Sequence, residues 1–545
     1  MRVLNELPIG PAAPAAQPIG RLQSATAASL ALLRALLACL LLTHVATAKS
    51  QQQPAGILWG RQAAEALLRD QQGPVSGAAA GVAFVAASLK HPDRDFGYSL
   101  TTKKALFLCR GLAVSAIAGG SADPPPHAHS HLHAAAGSSR RLLQGGSVSA
   151  ALGALPGAPD PTSLDRAFEL HSRPGAPYFL LLDFTGHRTT GTRWNTDYHK
   201  SVIVTPPYDI DGDSGTFSAQ ERANIIAIWR AVAEDYAPFA VDVTTEETDA
   251  SGRPINLVAR GARAAIGGSS RDWANDLAGG LSYIGSFGDP YSQPAFVFPA
   301  QLANASSKAI WEATSHELGH TLGLFHDGFT DIDGTKNEYF WGQGDWAPIM
   351  GAAYNKSISQ WSKGEYPEAT NKQDDLWQIA YVLGWRHDDH GNTPAAATPL
   401  PAGTPLPGQI GRSGEADWFS FAAAPGVLSL TLSLVPRYGN ESRANLNARM
   451  ALWGPCGASP LAVWDPQGSL LSGTRRFNLT AAGTHFVSVS GVGDGRLATG
   501  YSSYGSLGDY SIQAAYRPGP AAAGPCPAPP RPAPPPPRLR VATPR

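Results

Sequence analysis

Residues 316–326 constrain the fold of this chain more than any other stretch, because three histidines recur there at fixed spacing. The stretch contains His316, His320 and His326, with a glycine at position 323. Residues four apart lie one turn apart on the same face of an α-helix, so His316 and His320 are predicted to present neighbouring imidazoles. Gly323 tolerates the positive φ of a sharp turn at a helix end, and such a turn would bring His326 to the same point.

Three converging imidazoles indicate one catalytic zinc ion. Zn²⁺ binds histidine nitrogen at about 2.0 to 2.1 Å, and a site with only three protein ligands keeps a fourth position open for water. Glu317 follows the first histidine and is placed to act as general base toward a zinc-activated water. We therefore expect His316, His320 and His326 to bind zinc and Glu317 to catalyse hydrolysis without a covalent intermediate.

The extended histidine signature resembles that of the metzincin zinc metalloproteases, which implies hydrolysis of peptide bonds. Residues 346–351, Trp-Ala-Pro-Ile-Met-Gly, resemble the Met-turn of that clan, which implies that Met350 forms an apolar floor under the metal. Asp327 directly follows the third histidine, as in the reprolysin or adamalysin branch, where this acid supports the active-site helix. Residues 178–387 lack the cysteines of that branch, so the resemblance is to the clan and not to one branch.

A second metzincin-like feature precedes the histidines. The run from Gly279 to Ile284 resembles the edge strand along which an extended peptide pairs in these proteases. This resemblance implies a substrate strand formed by Gly280, Leu281, Ser282 and Tyr283, which would recognise the peptide backbone by β-addition. The alternative is an ordinary strand of the sheet.

The cysteines suggest a device for latency. Cys39 lies within residues 1–48, a predicted signal peptide, and Cys109, Cys456 and Cys526 remain once that segment is removed. Residues 107–111, Phe-Leu-Cys-Arg-Gly, loosely resemble the cysteine-switch motifs of some metzincins. This resemblance implies that Cys109 would occupy the open zinc position until the pro-segment is removed, and the alternative is a buried structural cysteine. If the segment with Cys109 is cut away, Cys456 and Cys526 are left as a candidate disulfide.

The region before the histidines has the pattern of an α/β domain. Residues 178–184 form an apolar run of strand length. Ser218 and Glu221 have the spacing of a capping box, and apolar residues then repeat at helical spacing until Pro238. A strand-like run resumes at 239–245. Strand, helix and strand therefore follow one another, as in an α/β sheet.

Beyond residue 388 the pattern changes to that of an all-β sandwich. Strand-like runs at 418–421, 427–434 and 485–489 alternate with Gly-rich turns. The pieces 388–392 and 414–419 resemble the bacterial pre-peptidase C-terminal domain. Its acidic turns make Ca²⁺ a candidate second metal.

An acidic loop lies earlier in the chain. Asp209, Asp211 and Asp213 resemble the opening of a calcium loop, but the following residues are out of register with the EF-hand pattern. We therefore favour an exposed acidic loop.

Composition divides the chain into a folded middle and Pro- and Gly-rich ends. A run of apolar residues followed by Ala46-Thr47-Ala48 is typical of a signal peptide, and Arg140-Arg141 is a candidate maturation site. The predicted order is a signal peptide (1–48), a partly disordered pro-segment (49–145), a linker (146–176), a metzincin-like α/β (α+β) protease domain with a twisted mixed sheet and an active-site helix (177–387), an all-β sandwich (388–516) and a Pro-rich disordered tail (517–545).

Charge and hydropathy exclude other classes of partner. The formal net charge is −1, with 42 basic and 43 acidic residues, which disfavours nucleic-acid binding. Arg34 interrupts the leader's apolar run, so it falls short of the roughly 20 apolar residues of a stable membrane span. Secretion to the extracellular space or cell wall is expected. Because the leader has a single acid, Glu6, an organellar transit peptide is the alternative. Four glycosylation sequons favour secretion and start at Asn304, Asn355, Asn440 and Asn478.

These patterns together predict a secreted, glycosylated zinc metalloendopeptidase made as a zymogen, with extracellular or cell-wall proteins as substrates. The alternative from another class is a catalytically idle matrix or adhesion protein whose β-sandwich and Pro-rich tail bind partners. An idle site should have lost a ligand or Glu317, and all four positions are filled. Zinc-dependent hydrolysis of a non-peptide bond is a third reading, because the motif specifies water activation more firmly than substrate.

Overall fold

A computed structural model describes residues 163–249, 251–274, 277–434, 444–455, 459–465 and 472–521, together with the backbone of three strands before residue 111. The chain separates into two compact units, residues 1–106 and 107–545. In the first unit, β1 (Ile57–Trp59) pairs antiparallel with β2 (Phe96–Ser99). The expected signal peptide, the dibasic pair, Cys456 and Cys526 lie outside the described residues.

The part of the second unit that contains the histidines is mixed α/β, with many short strands and few helices. Its helices are α1 (Arg193–Asp197), α2 (Ala219–Tyr236), α3 (Ser307–Thr321) and α4 (Asp375–Leu383). Its strands are the later residues of β3 (Ala105–Arg110), then β4 (Tyr178–Asp183), β5 (His187–Thr189), β6 (Ile203–Thr205), β7 (Val241–Thr244), β8 (Gly261–Ile266), β9 (Gly280–Tyr283), β10 (Ala295–Val297), β11 (Phe329–Thr330), β12 (Lys336–Asn337), β13 (Trp346–Pro348) and β14 (Ile358–Gln360).

A mixed sheet with strand order β9-β10-β8-β4-β7 organises this part of the chain. Strands β10, β8, β4 and β7 are parallel to one another, and β9 is antiparallel to β10. Leu180 and Leu182 of β4 are completely buried, as the apolar run predicts. Helix α2 packs against β7 through Trp229, whose Nε1 donates to the carbonyl oxygen of Val243 over 2.8 Å, and it also packs against α3.

The capping box predicted for α2 is confirmed. Ser218 is the N-cap, its hydroxyl accepts the amide of Glu221, and the Glu221 carboxylate accepts the amide of Ser218 over 2.7 Å. The helix ends at Tyr236, before Pro238. Local sequence chemistry therefore specifies both ends of this helix.

The folded structure begins before the expected domain start. Residues 163–176, assigned from composition to a linker, include Ala167 and Leu170, which are completely or almost completely buried in the core. Nδ1 of His171 lies 2.7 Å from the Asp242 carboxylate of β7. Two apolar side chains and one partly buried contact between His171 and Asp242 thus attach this segment to the sheet.

The C-terminal region is a β-sandwich, as predicted. One sheet has the order β15-β17-β22-β19-β20 and the other β16-β23-β18-β21. The strands are β15 (Thr398–Pro399), β16 (Leu406–Ile410), β17 (Ala416–Ala423), β18 (Gly426–Leu434), β19 (Ala448–Trp453), β20 (Pro460–Trp464), β21 (Ser472–Leu479), β22 (Gly483–Gly491) and β23 (Gly508–Ala515). Burial alternates residue by residue along β17 and β18, so one face of each sheet forms the core.

The chain remains paired with the sandwich slightly beyond the predicted domain end. The carbonyl oxygen of Arg517 accepts the amide of Ala424 over 2.9 Å.

In the described part of the chain, no helix is both long and apolar enough to cross a membrane.

Candidate metal centre

The helix end predicted from Gly323 is present. Helix α3 ends at Thr321, with Leu322 as its C-cap, and Gly323 has a φ of +97°. The amide of Gly323 donates to the carbonyl oxygen of His320 and the amide of Leu324 to that of Gly319, over 2.9 and 3.1 Å. This is the Schellman arrangement, which turns the chain sharply at a left-handed residue.

The turn brings the three predicted ligands together. Nε2 of His320 lies 3.0 Å from Nε2 of His316 and 3.2 Å from Nε2 of His326. All three side chains are buried, with at most 5% of their surface exposed. A ligand set at about 2.0 to 2.1 Å from a tetrahedral zinc ion has nitrogen atoms separated by little more than these distances.

The other ring nitrogen of each histidine faces an oxygen acceptor. Nδ1 of His316 lies 2.9 Å from the carbonyl oxygen of Ile349, and Nδ1 of His320 lies 2.8 Å from that of Leu324. Such acceptors favour the tautomer with a proton on Nδ1 and a lone pair on Nε2. Burial lowers the pKa of His316 to about 4, so this ring is neutral at physiological pH.

The third histidine has a carboxylate partner that the sequence analysis did not identify. Nδ1 of His326 lies 2.7 Å from Oε1 of Glu338, and the ring centroid of Tyr339 lies 4.3 Å from that of His326. Three Nε2 atoms therefore lie close to one another, an arrangement that a divalent cation stabilises. The donor set fits zinc.

Glu317 lies in the interior beside this cluster. Its side chain is completely buried, and neither carboxylate oxygen accepts a hydrogen bond from the described residues. Burial raises its pKa well above the usual range. A Cβ atom on Gly280 would lie 2.5 Å from Cγ of Glu317, so the carboxylate packs directly against the backbone of β9.

Strand β9 contains the four residues expected to bind substrate. One edge of β9 pairs with β10. The side chains of Leu281, Ser282 and Tyr283 are buried. The other edge of β9 pairs antiparallel with residues 108–110, so that the backbone of Cys109 lies opposite Ser282. The side chain of Cys109 is outside the described part of the structure, and the cysteine switch stays a prediction.

Met350 lies beneath α3. It is completely buried, and a Cβ atom on Gly319 would be 2.8 Å from its Sδ. The segment before it pairs through β13 with β14 in parallel. The absence of a side chain at position 319 thus lets Met350 approach the helix between the two histidines.

Asp327 is connected to this segment by its backbone. Its amide donates to the carbonyl oxygen of Met350 over 2.8 Å, and its Oδ1 accepts the side-chain amide of Asn371 over 3.3 Å. Among the described residues, its carboxylate is therefore hydrogen-bonded to Asn371 and not to α3. Burial raises the pKa of Asp327, as it does for the neighbouring carboxyl of Asp375.

The described residues include two clusters of acidic side chains, and within each cluster the carboxylate oxygens lie within 4.8 Å of one another. The first cluster is formed by Asp209 and Asp211, in the loop before α2, and by Glu221 of that helix. Oδ1 of Asp209 accepts the amides of Asp211 and Gly212, and the Glu221 carboxylate is used by the capping box. Asp211 and Asp213 are exposed. Turn and cap hydrogen bonds account for this acidic loop.

The second acidic group, Asp388, Asp389 and Asp417, lies at the start of the sandwich. Asp417 is completely buried, and its Oδ2 accepts the hydroxyl of Tyr510 over 2.5 Å. Its Oδ1 accepts no hydrogen bond from the described residues. Burial, with the nearby carboxylates, raises the pKa of Asp417 to about 8. An unpartnered buried oxygen among carboxylates is suited to a hard cation such as Ca²⁺.

Comparison with known proteins leaves the family open. No protein-family model matches the sequence, and no curated protein is similar to it at a significant level. Among solved structures, the pre-peptidase C-terminal domain of a Bacillus anthracis collagenase matches at 13% identity, with 23% of this chain and 99% of that chain covered and a TM-score of 0.16. The lysozyme inhibitor PliG of Aeromonas hydrophila matches at 15% identity over 22% of this chain and 94% of its own, with a TM-score of 0.15. These scores are too low to assign a family or a function.

Proposed function

We propose that this protein is a secreted zinc metalloendopeptidase of the metzincin type. One observation carries the proposal: three buried imidazoles bring their Nε2 atoms within 3.0 to 3.2 Å of His320, beside a buried carboxylate that accepts no hydrogen bond from the described residues. A merely structural zinc would use four protein ligands, and a buried general base would have no purpose there.

The chemistry divides between the metal and the chain. Zinc, when bound by His316, His320 and His326, supplies a Lewis acid that polarises the scissile carbonyl and lowers the pKa of water. Glu317 takes a proton from the attacking water as its oxygen bonds to the carbonyl carbon. It then delivers that proton to the departing amine as the C–N bond breaks. Burial raises the pKa of Glu317, which makes its carboxylate a stronger proton acceptor.

Strand β9 is suited to hold an extended peptide. Its backbone passes within contact distance of Glu317 at Gly280, so a peptide added alongside it would bring its carbonyl groups near the base. Protein or peptide substrates follow from this recognition of the backbone, and extracellular or cell-wall proteins from the proposed secretion.

The proposed zymogen state rests on the pairing of residues 108–110 with β9. A segment of the proposed pro-region uses the same side of β9 that a substrate peptide would need. Removal of this segment would free the strand, and Cys109 is the proposed thiolate of a cysteine switch.

Calcium is proposed as a second, structural metal. The unpartnered oxygen of Asp417, together with Asp388 and Asp389, supports a Ca²⁺ site at the start of the sandwich. The resemblance of this region to pre-peptidase C-terminal domains is likewise part of the proposal.

The proposed activity is tested with the full chain, assayed before and after limited proteolysis on an unfolded protein substrate. Bound zinc is quantified alongside. Wild type is compared with Glu317→Gln and, as a matched control, Glu169→Gln, which changes an exposed carboxylate. We expect cleavage that a zinc chelator abolishes, a loss of about 10²- to 10⁴-fold in Glu317→Gln with zinc content unchanged, and no loss in the control.

Other outcomes would separate the alternatives. A folded, zinc-loaded and processed protein that cleaves no peptide but hydrolyses an ester or amide of small molecules would replace the peptidase proposal by another hydrolase. Absence of zinc binding would favour the idle adhesion protein.

A further inference from the structure

The β-sandwich contacts the histidine-bearing region through buried polar side chains. Asn445, which precedes β19, is 4% exposed. Its side-chain amide donates to Oδ1 of Asp235 over 2.7 Å, and its backbone amide donates to Oε1 of Glu234 over the same distance. A buried carboxylate that loses such a donor keeps its desolvation cost without compensation, so this contact is costly to break.

Asp235 connects Asn445 to helix α3 through hydrogen bonds. Its other carboxylate oxygen, Oδ2, accepts the hydroxyl of Ser315 over 2.6 Å, and Ser315 immediately precedes His316 in α3. Its backbone carbonyl accepts Nε1 of Trp361 over 2.7 Å. One carboxylate is therefore shared between a donor from the sandwich and a donor from the helix that bears two histidines.

A second line from Asn445 reaches the same histidine. The carbonyl oxygen of Asn445 accepts Nε2 of Gln360 over 2.5 Å. The carbonyl oxygen of Gln360 accepts the amide of Ile349 over 2.9 Å, and the carbonyl of Ile349 faces Nδ1 of His316. Two chains of hydrogen bonds therefore start at Asn445. The first ends at Ser315, the neighbour of His316, and the second ends at His316 itself.

We infer that the sandwich is an integral part of the catalytic unit and that Asn445 is a positioning residue for the metal ligand His316. Through Asp235 it holds the turn of α3 before His316, and through Gln360 it holds the carbonyl that selects the His316 tautomer. This inference rests on the proposed zinc function. It goes beyond the sequence-based expectation, in which residues 388–516 form an all-β sandwich that follows the protease domain.

The test uses the full chain and compares three variants. Asn445→Asp replaces the donor toward Asp235 by an acceptor of the same shape. Asn445→Asp combined with Asp235→Asn exchanges donor and acceptor and should restore the hydrogen bond. Asn447→Ala is the matched control, because the Asn447 side-chain amide donates to the carbonyl of Gly493 within the sandwich, over 3.3 Å.

Zinc affinity by chelator competition and the visible spectrum of the Co²⁺-substituted protein are measured without substrate, followed by kcat and KM. We expect Asn445→Asp to lower zinc affinity about 10- to 100-fold, to change the cobalt spectrum and to lower kcat with little change in KM. The exchanged double variant should recover affinity and spectrum, and Asn447→Ala should resemble wild type.

Loss of thermal stability in Asn445→Asp with unchanged zinc affinity and spectrum would overturn the inference, because the contact would then be only an interface. If Asn445→Asp does not fold, the double variant decides: a folded double variant with a wild-type cobalt spectrum supports the inference, and one with an altered spectrum despite a wild-type Tm overturns it. If wild type itself binds no zinc, the proposed function fails as well. If wild type binds zinc but cleaves no peptide, the proposed peptidase function fails, and the zinc affinities and cobalt spectra of the variants still decide the inference.

Discussion

Oε1 of Glu338 lies 2.7 Å from Nδ1 of His326, so the third predicted zinc ligand is oriented by a carboxylate from a loop twelve residues later. Glu338→Gln keeps an oxygen acceptor but removes the charge, and we expect zinc affinity to fall toward the lower end of the roughly 10- to 100-fold range, because this side chain is 52% exposed. Chelator competition measures the change. Asp331→Asn, in the same exposed region, is the control, and equal affinities for both variants would contradict an orienting role.

Gly280 is expected to be intolerant of any side chain. A Cβ atom there would lie 2.5 Å from Cγ and Oε1 of Glu317, so Gly280→Ala must displace the proposed base. A displacement of about 1 Å can lower kcat about 10²-fold, and zinc content should not change. Gly454→Ala in the β-sandwich is the control, because a Cβ atom there would come no closer than 3.6 Å to Leu461. Full activity in Gly280→Ala would disprove this contact.

The approach of Met350 to Gly319 predicts coupled stabilities. Gly319→Ala places Cβ 2.8 Å from Sδ of Met350 and should cost about 1 to 3 kcal/mol by overpacking, whereas Met350→Ala should cost about 2 to 5 kcal/mol by leaving a cavity. The double variant should lose less than the sum, because the smaller residue makes room for the new methyl group. Urea unfolding of the four proteins measures this, and strict additivity would argue against direct contact.

The pairing of residues 108–110 with β9 predicts that the full chain is latent. Limited proteolysis that removes this segment should raise peptidase activity. Cys109→Ser separates the two mechanisms of latency: it should raise the activity of the uncut chain if a thiolate occupies the zinc position, and leave it low if strand pairing alone blocks β9. An uncut wild type as active as the processed protein would exclude both.

Asp417 predicts a stability that falls with pH unless calcium is bound. Its folded pKa is raised to about 8, above the usual value of an unfolded Asp, so the folded state binds more protons between these two pKa values. The contribution of Asp417 to the free energy of unfolding is therefore fully present below the unfolded pKa and is lost as pH rises toward about 8. Added Ca²⁺ should raise Tm at pH 8 more than at pH 5, because it stabilises the ionised carboxylate.

The calcium prediction has two controls. Asp417→Asn should flatten the pH dependence of Tm and abolish the calcium effect, and Mg²⁺ should substitute poorly because it demands a smaller, octahedral site. A calcium-free wild type whose Tm rises from pH 5 to pH 8 would show that other groups dominate the pH dependence.

Features that depend on near neighbours in the chain were predictable. The capping box of Ser218 and Glu221 and the left-handed turn at Gly323 follow from residue types within a few positions of one another. The convergence of His316 and His320 follows from helical periodicity in the same way. The alternating strands of the sandwich were also predictable, although the segment 163–176 was misassigned to a linker because its few apolar residues carry no periodic signal.

Local sequence thus specifies helix α3, its end at Gly323 and the convergence of the three histidines, because local backbone geometry converts spacing into position. The packing of the whole fold, in contrast, brings Glu338 to His326, Gly280 to Glu317 and Asn445 to Asp235. These partners come from separate strands and loops, and no periodicity relates their positions in the chain. Their contacts depend on how sheets and helices pack, which is settled by burial of the whole core and not by any short segment.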